Sequence, residues 1–284
     1  MLLLRLVLTL IFAASSASAA PMIWLAESSP GFEKTIKMDE QTRDLILSGL
    51  DNINFQIEPT NPKRGLNRLQ HESNICVGDK IYNAERQRYS LASAIPQVVV
   101  PGLRLYLREE LAVKNGLNTD KSSELSLSQL LKNLPDLQLG VMQGRSYGEI
   151  LDQLLAAPAL QRRIWRRSGT DMGAGLVAML LNGRIDAIFE YPNVFKQYSQ
   201  HVATESPITY LRLKETPAFI SGYVLCSRSE AGKQAIDAIS KSIEQLSRNR
   251  EYLDIHLQWF DEDMHSELTR YYNRIYGTAF DLSQ

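Results

Sequence analysis

Between Met22 and Val77, short apolar runs alternate with stretches of helical periodicity, and this alternation narrows the available folds more than any other feature of the chain. Met22 to Ala26 is too short for a helix and runs into Glu27-Ser28-Ser29-Pro30-Gly31, so it reads as a buried strand followed by a loop. Residues 39–50 place Leu45, Ile46 and Leu50 on one helical face. Ile53 to Ile57 alternates with period two, Arg64 to Gln70 reads as a second helix and Ile75 to Val77 as a third strand. A β-α-β-α-β order implies a mostly parallel sheet covered by helices. The same signals return later: a short helix at Leu125 to Leu134, strand Leu137 to Met142, helix Tyr147 to Ala156, helix Asp171 to Leu181 stopping at Asn182-Gly183, and strand Ile185 to Phe189. Pro96 to Leu107 is extended and broken by Pro101-Gly102, and Ile220 to Cys226 is a further strand. Two helices close the chain, Glu230 to Ser247 and Tyr252 to Tyr276, the latter interrupted near Asp261.

Ahead of this pattern stand Arg5, an apolar run from Leu6 to Ala14, and Ala17-Ser18-Ala19. This is the layout of a secretory signal with an A-x-A cleavage site, so residues 1–19 are expected to be removed. No cysteine lies near that site to carry a lipid, and no later run approaches the roughly 18 apolar residues of a spanning helix. The expected product is exported to the periplasm without a membrane span. Its net charge moves from -1 to -2 once Arg5 is lost, which gives nucleic acid no purchase. About 265 residues are enough for one large domain or for two lobes of about 130 each, since cores tend to split at such sizes. The four histidines lack metal-ligand spacing, so neither a metal nor another cofactor is expected.

Three stretches appear in a telling order: Ala84-Glu85-Arg86 running into Ser93-Ala94-Ile95-Pro96, then Leu139 to Ser146, then Asn182-Gly183-Arg184-Ile185-Asp186-Ala187-Ile188-Phe189-Glu190. Together they resemble the bacterial extracellular solute-binding proteins of family 3, the two-lobed type II periplasmic binding proteins that feed amino-acid and related ABC importers. The resemblance covers most of residues 22–262. It implies an α/β fold of two lobes, each a mostly parallel sheet flanked by helices, joined by two strand crossings that act as a hinge. Residues 20–100 and 218–284 would form the first lobe and 101–217 the second. A monomer is implied, capturing a small anionic or zwitterionic solute between the lobes and presenting it to a membrane permease. A membrane sensor is the alternative partner.

The resemblance also nominates residues. Arg86 matches the arginine that holds a ligand carboxylate, a task suited to a planar guanidinium with two parallel donors. The preceding Gly78-Asp79-Lys80-Ile81-Tyr82 departs from the small hydroxyl residues many relatives carry there. Gly144, Arg145 and Ser146 form the turn that faces Arg86, at a helix start where backbone amides attract anions. Ser146 as a simple helix cap is the other reading of that hydroxyl. The strand end Glu190-Tyr191-Pro192-Asn193 is one residue shorter than a common spacing of relatives. Either Glu190, which balances an amine, or Tyr191, which offers stacking or a neutral hydrogen bond, then takes the ammonium position. Phe32 is the candidate aromatic wall, whereas Trp24, inside a strand, reads as core. Arg162-Arg163-Ile164-Trp165-Arg166-Arg167 reads as a solvated helical face or, more sharply, a patch for an acidic partner.

Cys76 and Cys226 lie on strands that the resemblance assigns to one lobe. In an oxidising compartment they either bond, which needs their Cα atoms within about 7 Å, or stay as buried thiols. An enzyme reading also exists, because Gly144-Arg145-Ser146-Tyr147-Gly148 matches the nucleophile elbow of serine hydrolases. Asp186 or Asp237 and His256 or His265 follow in the right order, although no His-Gly-Gly oxyanion loop precedes the serine. A dehydratase on the two-lobed fold is the other enzymatic possibility. The principal expectation is a binding protein without catalysis.

Overall fold

The computed structural model describes residues 21–27, 38–50, 52–120, 123–143, 145–168, 173–200, 202 and 206–282; the leader, Phe32 and Gly144 lie outside the described residues. Strands β1 (Met22–Glu27), β2 (Phe55–Thr60) and β3 (Ile75–Lys80) run parallel in the order β2-β1-β3, and helices α1 (Met38–Ser48) and α2 (Pro62–His71) lie between them in sequence. α2 starts where it does because the Asn61 side chain accepts the Arg64 amide at 2.9 Å and Pro62 needs no amide partner in the first turn. A 3₁₀ turn at Arg86–Arg88 leads to β4 (Ser90–Ala92) and then β5 (Val98–Pro101).

The chain then builds a second sheet from β6 (Arg104–Arg108), α3 (Glu109–Lys114), β7 (Glu124–Leu125), α4 (Leu127–Asn133), β8 (Leu139–Met142), α5 (Glu149–Ala156), β9 (Ile164–Arg167), α6 (Ala174–Leu181), β10 (Ala187–Glu190), α7 (Pro192–Ser199) and β11 (Ile208–Leu213). Its strand order is β7-β11-β6-β10-β8-β9, with β10 parallel to β8 and antiparallel to β6. β12 (Phe219–Ser227) returns to the first sheet, antiparallel to β3, β4 and β5. Helices α8 (Glu230–Leu246), α9 (Arg250–Leu257) and α10 (Glu262–Tyr276) follow.

Alternating side chains explain why each sheet is covered on both faces. In the first, Trp24, Cys76 and Val224 pack on Ile236, Ile239 and Ile243 of α8, while Leu25, Val77 and Leu225 pack on Leu69 of α2. In the second, Leu105, Leu107 and Phe189 belong to the core that includes Leu130 of α4 and Leu151 of α5, and Tyr106 and Ile188 to the one with Leu176 and Leu180 of α6. The two passages between sheets run side by side. The Gly102 amide donates to the Ala218 carbonyl at 2.9 Å, and a Cβ on Gly102 would sit 1.9 Å from the Pro217 carbonyl oxygen, so only glycine fits this crossing.

Cys76 and Cys226 are register partners on β3 and β12 and are bonded, with Cα atoms 4.1 Å apart. A bridge spanning 150 residues stabilises by about 5 kcal/mol on chain-entropy grounds. Among the described residues no helix is long and apolar enough to cross a membrane. One expectation is corrected. The basic cluster is no helical face: Pro158–Arg163 is a 3₁₀ turn, and Ile164–Arg167 is β9, the edge strand paired in parallel with β8. Ile164 and Trp165 favour a strand, and β8 offers an edge that needs a partner. Arg163 turns inward, where its Nη1 donates to the Leu131 carbonyl at 2.8 Å.

Candidate functional site

Ligands of open α/β sheets settle at the carboxyl ends of strands. Here β1, β2 and β3 end at Glu27, Thr60 and Asp79-Lys80, whereas β8 and β10 end at Met142 and Glu190. The two edges meet across the space between the lobes, close enough for the charge of Asp79 to act on the Tyr191 phenol.

On the second-lobe side, β8 and β10 are adjacent, so the turn after one strand lies beside the end of the other. Arg145 and Glu190 are thereby brought together. Nη1 donates to Oε2 and Nη2 to Oε1, each at 2.7 Å, in the two-pronged geometry that suits guanidinium and carboxylate. Glu190 is only 2% exposed, and its Oε1 also accepts the Tyr191 amide at 2.9 Å. Gly173, at φ +106°, backs the carboxylate, since a Cβ there would lie 2.9 Å from Oε2. The guanidinium carbon lies 5.2 Å from the Tyr147 ring centre and 5.8 Å from that of Tyr191. Burial works to lower the Arg145 pKa, but the Glu190 charge and its hydrogen bonds outweigh it and hold it raised. Burial also pushes the Tyr191 phenol up to about 12, with Arg145 opposing and Glu190 and Asp79 assisting.

Ser146 is no helix cap, since Gly148 holds that position without a side-chain bond, but it braces the turn before α5. Its hydroxyl donates to Asp152 Oδ2 at 2.5 Å while the Tyr147 amide donates to Oδ1 at 2.8 Å, and the Gly148 amide donates back to the Ser146 oxygen at 3.2 Å. A hydrolase triad is not assembled. Asp186 accepts from Arg108 and from the Gln138 amide, and His256 is fully buried between α9 and α10 with Nδ1 2.7 Å from the Tyr252 carbonyl.

On the first-lobe side, Arg86 opens the 3₁₀ turn after β3 and donates from Nη1 to the Ile81 carbonyl at 2.6 Å. Among the described residues no carboxylate pairs with it. Lys80 meets Glu27 at 3.1 Å, both side chains largely buried. Asp79 stands between them and the second lobe, accessible from the cleft, in the left-handed backbone region at φ +50°. Its amide donates to Gln97 Oε1 at 3.0 Å, and its carboxylate lies over Gly222, where a Cβ would come within 2.1 Å of Oδ1. Atoms packed around that carboxyl push its pKa up to about 6 although the residue stays exposed at the cleft, with Lys80 opposing and Asp39 and Glu27 adding to the rise. The sequence signalled this place only as a departure from the relatives, through Asp79-Lys80 where hydroxyl residues are usual. Tyr147, the other partner missed, sits in the turn already singled out. Nearby, a cavity of about 200 Å³ lined by Met142, Arg145, Tyr147, Asp152 and Arg166 belongs wholly to the second lobe.

No protein-family model and no curated protein sequence matches the chain. Solved structures do. The probable amino-acid ABC transporter extracellular-binding protein of Bacillus subtilis superposes with a TM-score of 0.63 at 12% identity, over 86% of this chain and 98% of that one. A histidine kinase sensor domain with similarity to periplasmic binding proteins gives 0.57 at 10% identity, over 85% and 96%. An ancestral amino-acid-binding protein, described as a precursor of cyclohexadienyl dehydratase, gives 0.54 at 16% identity, over 85% and 95%. These likenesses establish the fold as that of the two-lobed periplasmic binding proteins.

Proposed function

We propose that the protein captures a small amino-acid-like solute between its lobes in the periplasm and delivers it to a membrane partner, without chemical conversion. The supporting observation is the confrontation of two strand-end edges across a double crossing, with Asp79 of one acting on Tyr191 of the other. Arg86 is the proposed carboxylate anchor, because its guanidinium is held by one carbonyl bond and has no acid partner among the described residues. Tyr191 closes over the solute from the second lobe. Glu190 and Arg145 shape that wall as a pair, since each already answers the other's charge. Ser146 supports the wall by tying its turn to Asp152 of α5.

Capture is tested by thermal melting of the mature protein with L-amino acids, polyamines and small carboxylates. A solute at 100 times its dissociation constant adds about 2.7 kcal/mol, a shift of a few degrees. A panel in which nothing moves the melting temperature would remove the reading. The likeness to a sensor domain favours a second destination, a signalling receptor in place of an importer. Uptake of the labelled solute by cells with and without the gene separates the two.

A further inference from the structure

Two ion pairs at the cleft are closed, and the charges left without an ionic partner among the described residues, Arg86 and Asp79, indicate what the solute carries. On the second-lobe edge, Arg145 and Glu190 neutralise each other through two 2.7 Å hydrogen bonds. On the first-lobe edge, Lys80 and Glu27 do the same at 3.1 Å, with 13% and 11% of their side chains exposed. Two salt bridges so placed use up Arg145 and Lys80 and leave Arg86 as the cation open to the solute. Asp79 has no such partner. Among the described residues no cation or donor is bonded to its carboxylate, Lys80 having turned to Glu27 and its own neighbour's carbonyl.

Asp79 is also fixed in place. Aspartate tolerates the left-handed region better than most residues. Here the Gln97 carbonyl oxygen holds its amide, and Gln97, itself fully buried, is held by the Asp39 carbonyl and the Thr42 hydroxyl, each at 2.9 Å. Gly222 leaves the room that the carboxylate occupies. A carboxylate held at one spot, exposed to the cleft and bonded to no cation among the described residues, offers its full charge to whatever enters. Across the gap stands Tyr191, an aromatic side chain able to cover a cation.

Building on the capture reading above, we propose that Asp79 receives the positively charged end of the solute, so that the cleft selects molecules bearing an ammonium or guanidinium group. The ammonium position thus lies on the first lobe, at the end of β3, and not at Glu190. Arg86 and Asp79 then hold the two ends of an amino acid from one lobe, and the second lobe closes over it.

The test compares the mature protein with Asp79→Asn, binding L-arginine, L-lysine, putrescine, L-glutamate and succinate at pH 8 by calorimetry and thermal melting. Asparagine keeps the shape and suits the left-handed backbone, so the variant is expected to melt within a few degrees of the parent when no solute is present. Asp79→Gly serves as a second variant that also accepts this backbone. The expected result is that amine-bearing solutes bind the parent and lose at least tenfold in affinity in both variants, whereas succinate is poor in all three. If the parent binds amines and the variants bind them equally well, the Asp79 assignment is overturned while capture stands. If the parent binds succinate in preference to every amine, the charge argument is wrong. If the parent binds nothing, the capture reading falls, and this inference with it.

Discussion

The two lobes share an architecture but settle their charges and their packing differently. The first is tied across β3 and β12 by the Cys76–Cys226 bond, packs three helices from the C-terminal part of the chain on its sheet, and leaves Asp79 and Arg86 without acid-base partners among the described residues. The second has no covalent tie among the described residues, and at its own edge Arg145 and Glu190 are locked together. A lobe braced by a disulfide can carry strained and unpaired groups at little risk to the fold. A lobe that holds itself by packing and one buried ion pair has less to spare. The division suggests that the solute is recognised on the first lobe and covered by the second.

The largest effect that would test this contrast is loss of the bridge. Replacing both cysteines by serine, or reducing the bond, should cost the first lobe about 4 to 5 kcal/mol. Urea melts with and without reductant would show it. A drop below about 1 kcal/mol would mean that the first lobe is no better braced than the second.

Next is Glu190→Gln, which leaves Arg145 facing an amide. Breaking a buried pair from one side costs about 3 to 5 kcal/mol, and the partial exposure of Arg145, 25%, places this case at the lower end. The variant should also gain affinity for small anions such as succinate, since a guanidinium at the cleft edge is then unanswered. Selective loss of amine binding with unchanged stability would instead return Glu190 to the role of ammonium partner.

These residues also show what was legible in the sequence. Element order follows from periodicity, because strands and helices announce themselves within windows of ten residues, whereas the two lobes and the placing of both cysteine strands in one of them came from the family resemblance. The pairing of Arg145 with Glu190 was not legible. Each residue was recognised as a site candidate, but whether a charge is spent on a neighbour or kept for a ligand depends on which strands are adjacent, and that is fixed by contacts 45 residues apart. Asp79 was hidden for a different reason. Its importance rests on a backbone angle and on the space above Gly222, 143 positions away, neither of which has a sequence signature. The edge strand β9 was misread because two of its four residues and the two before it are arginines, and charge suggested a solvated helix where a free sheet edge was waiting.

A third expectation concerns acid. Burial holds the imidazole of His256 down at about 4, against the usual 6.5, despite its bond to the Tyr252 carbonyl. Between these values the unfolded chain binds a proton that the folded chain refuses. The share of stability that His256 contributes is therefore whole above pH 6.5, falls as the pH drops towards 4, and levels off below, for a total of about 3 kcal/mol. Denaturant melts at pH 7.5, 6, 5 and 4 should show that slope in the difference between the parent and His256→Gln, because the raised Asp79 carboxyl acts in the opposite sense over the same range in both proteins. Parallel profiles in the two proteins would assign the acid sensitivity elsewhere.

The smallest effect lies between the lobes themselves. Lys196 of α7 reaches Asp261, just before α10, at 3.1 Å, and Arg212 of β11 reaches Glu267 of α10 at 2.8 Å, so the C-terminal helix of the first lobe is tied to the second by charge. Lys196 and Asp261 are 32% and 68% exposed, and exposed pairs contribute about 0 to 1 kcal/mol. Solvent and ions share their field at physiological salt, where charges are screened over about 8 Å. Lys196→Ala is thus expected to lower stability by less than about 1 kcal/mol at 50 mM salt and by nothing measurable at 500 mM. That outcome fits lobes that are firm inside and loosely joined, able to reorient about the Gly102 and Pro217 crossing at small cost. A loss above about 2 kcal/mol that persists in high salt would mean that the joint is as firmly made as the lobes, and closure over a solute would then have to come from movement within the second lobe.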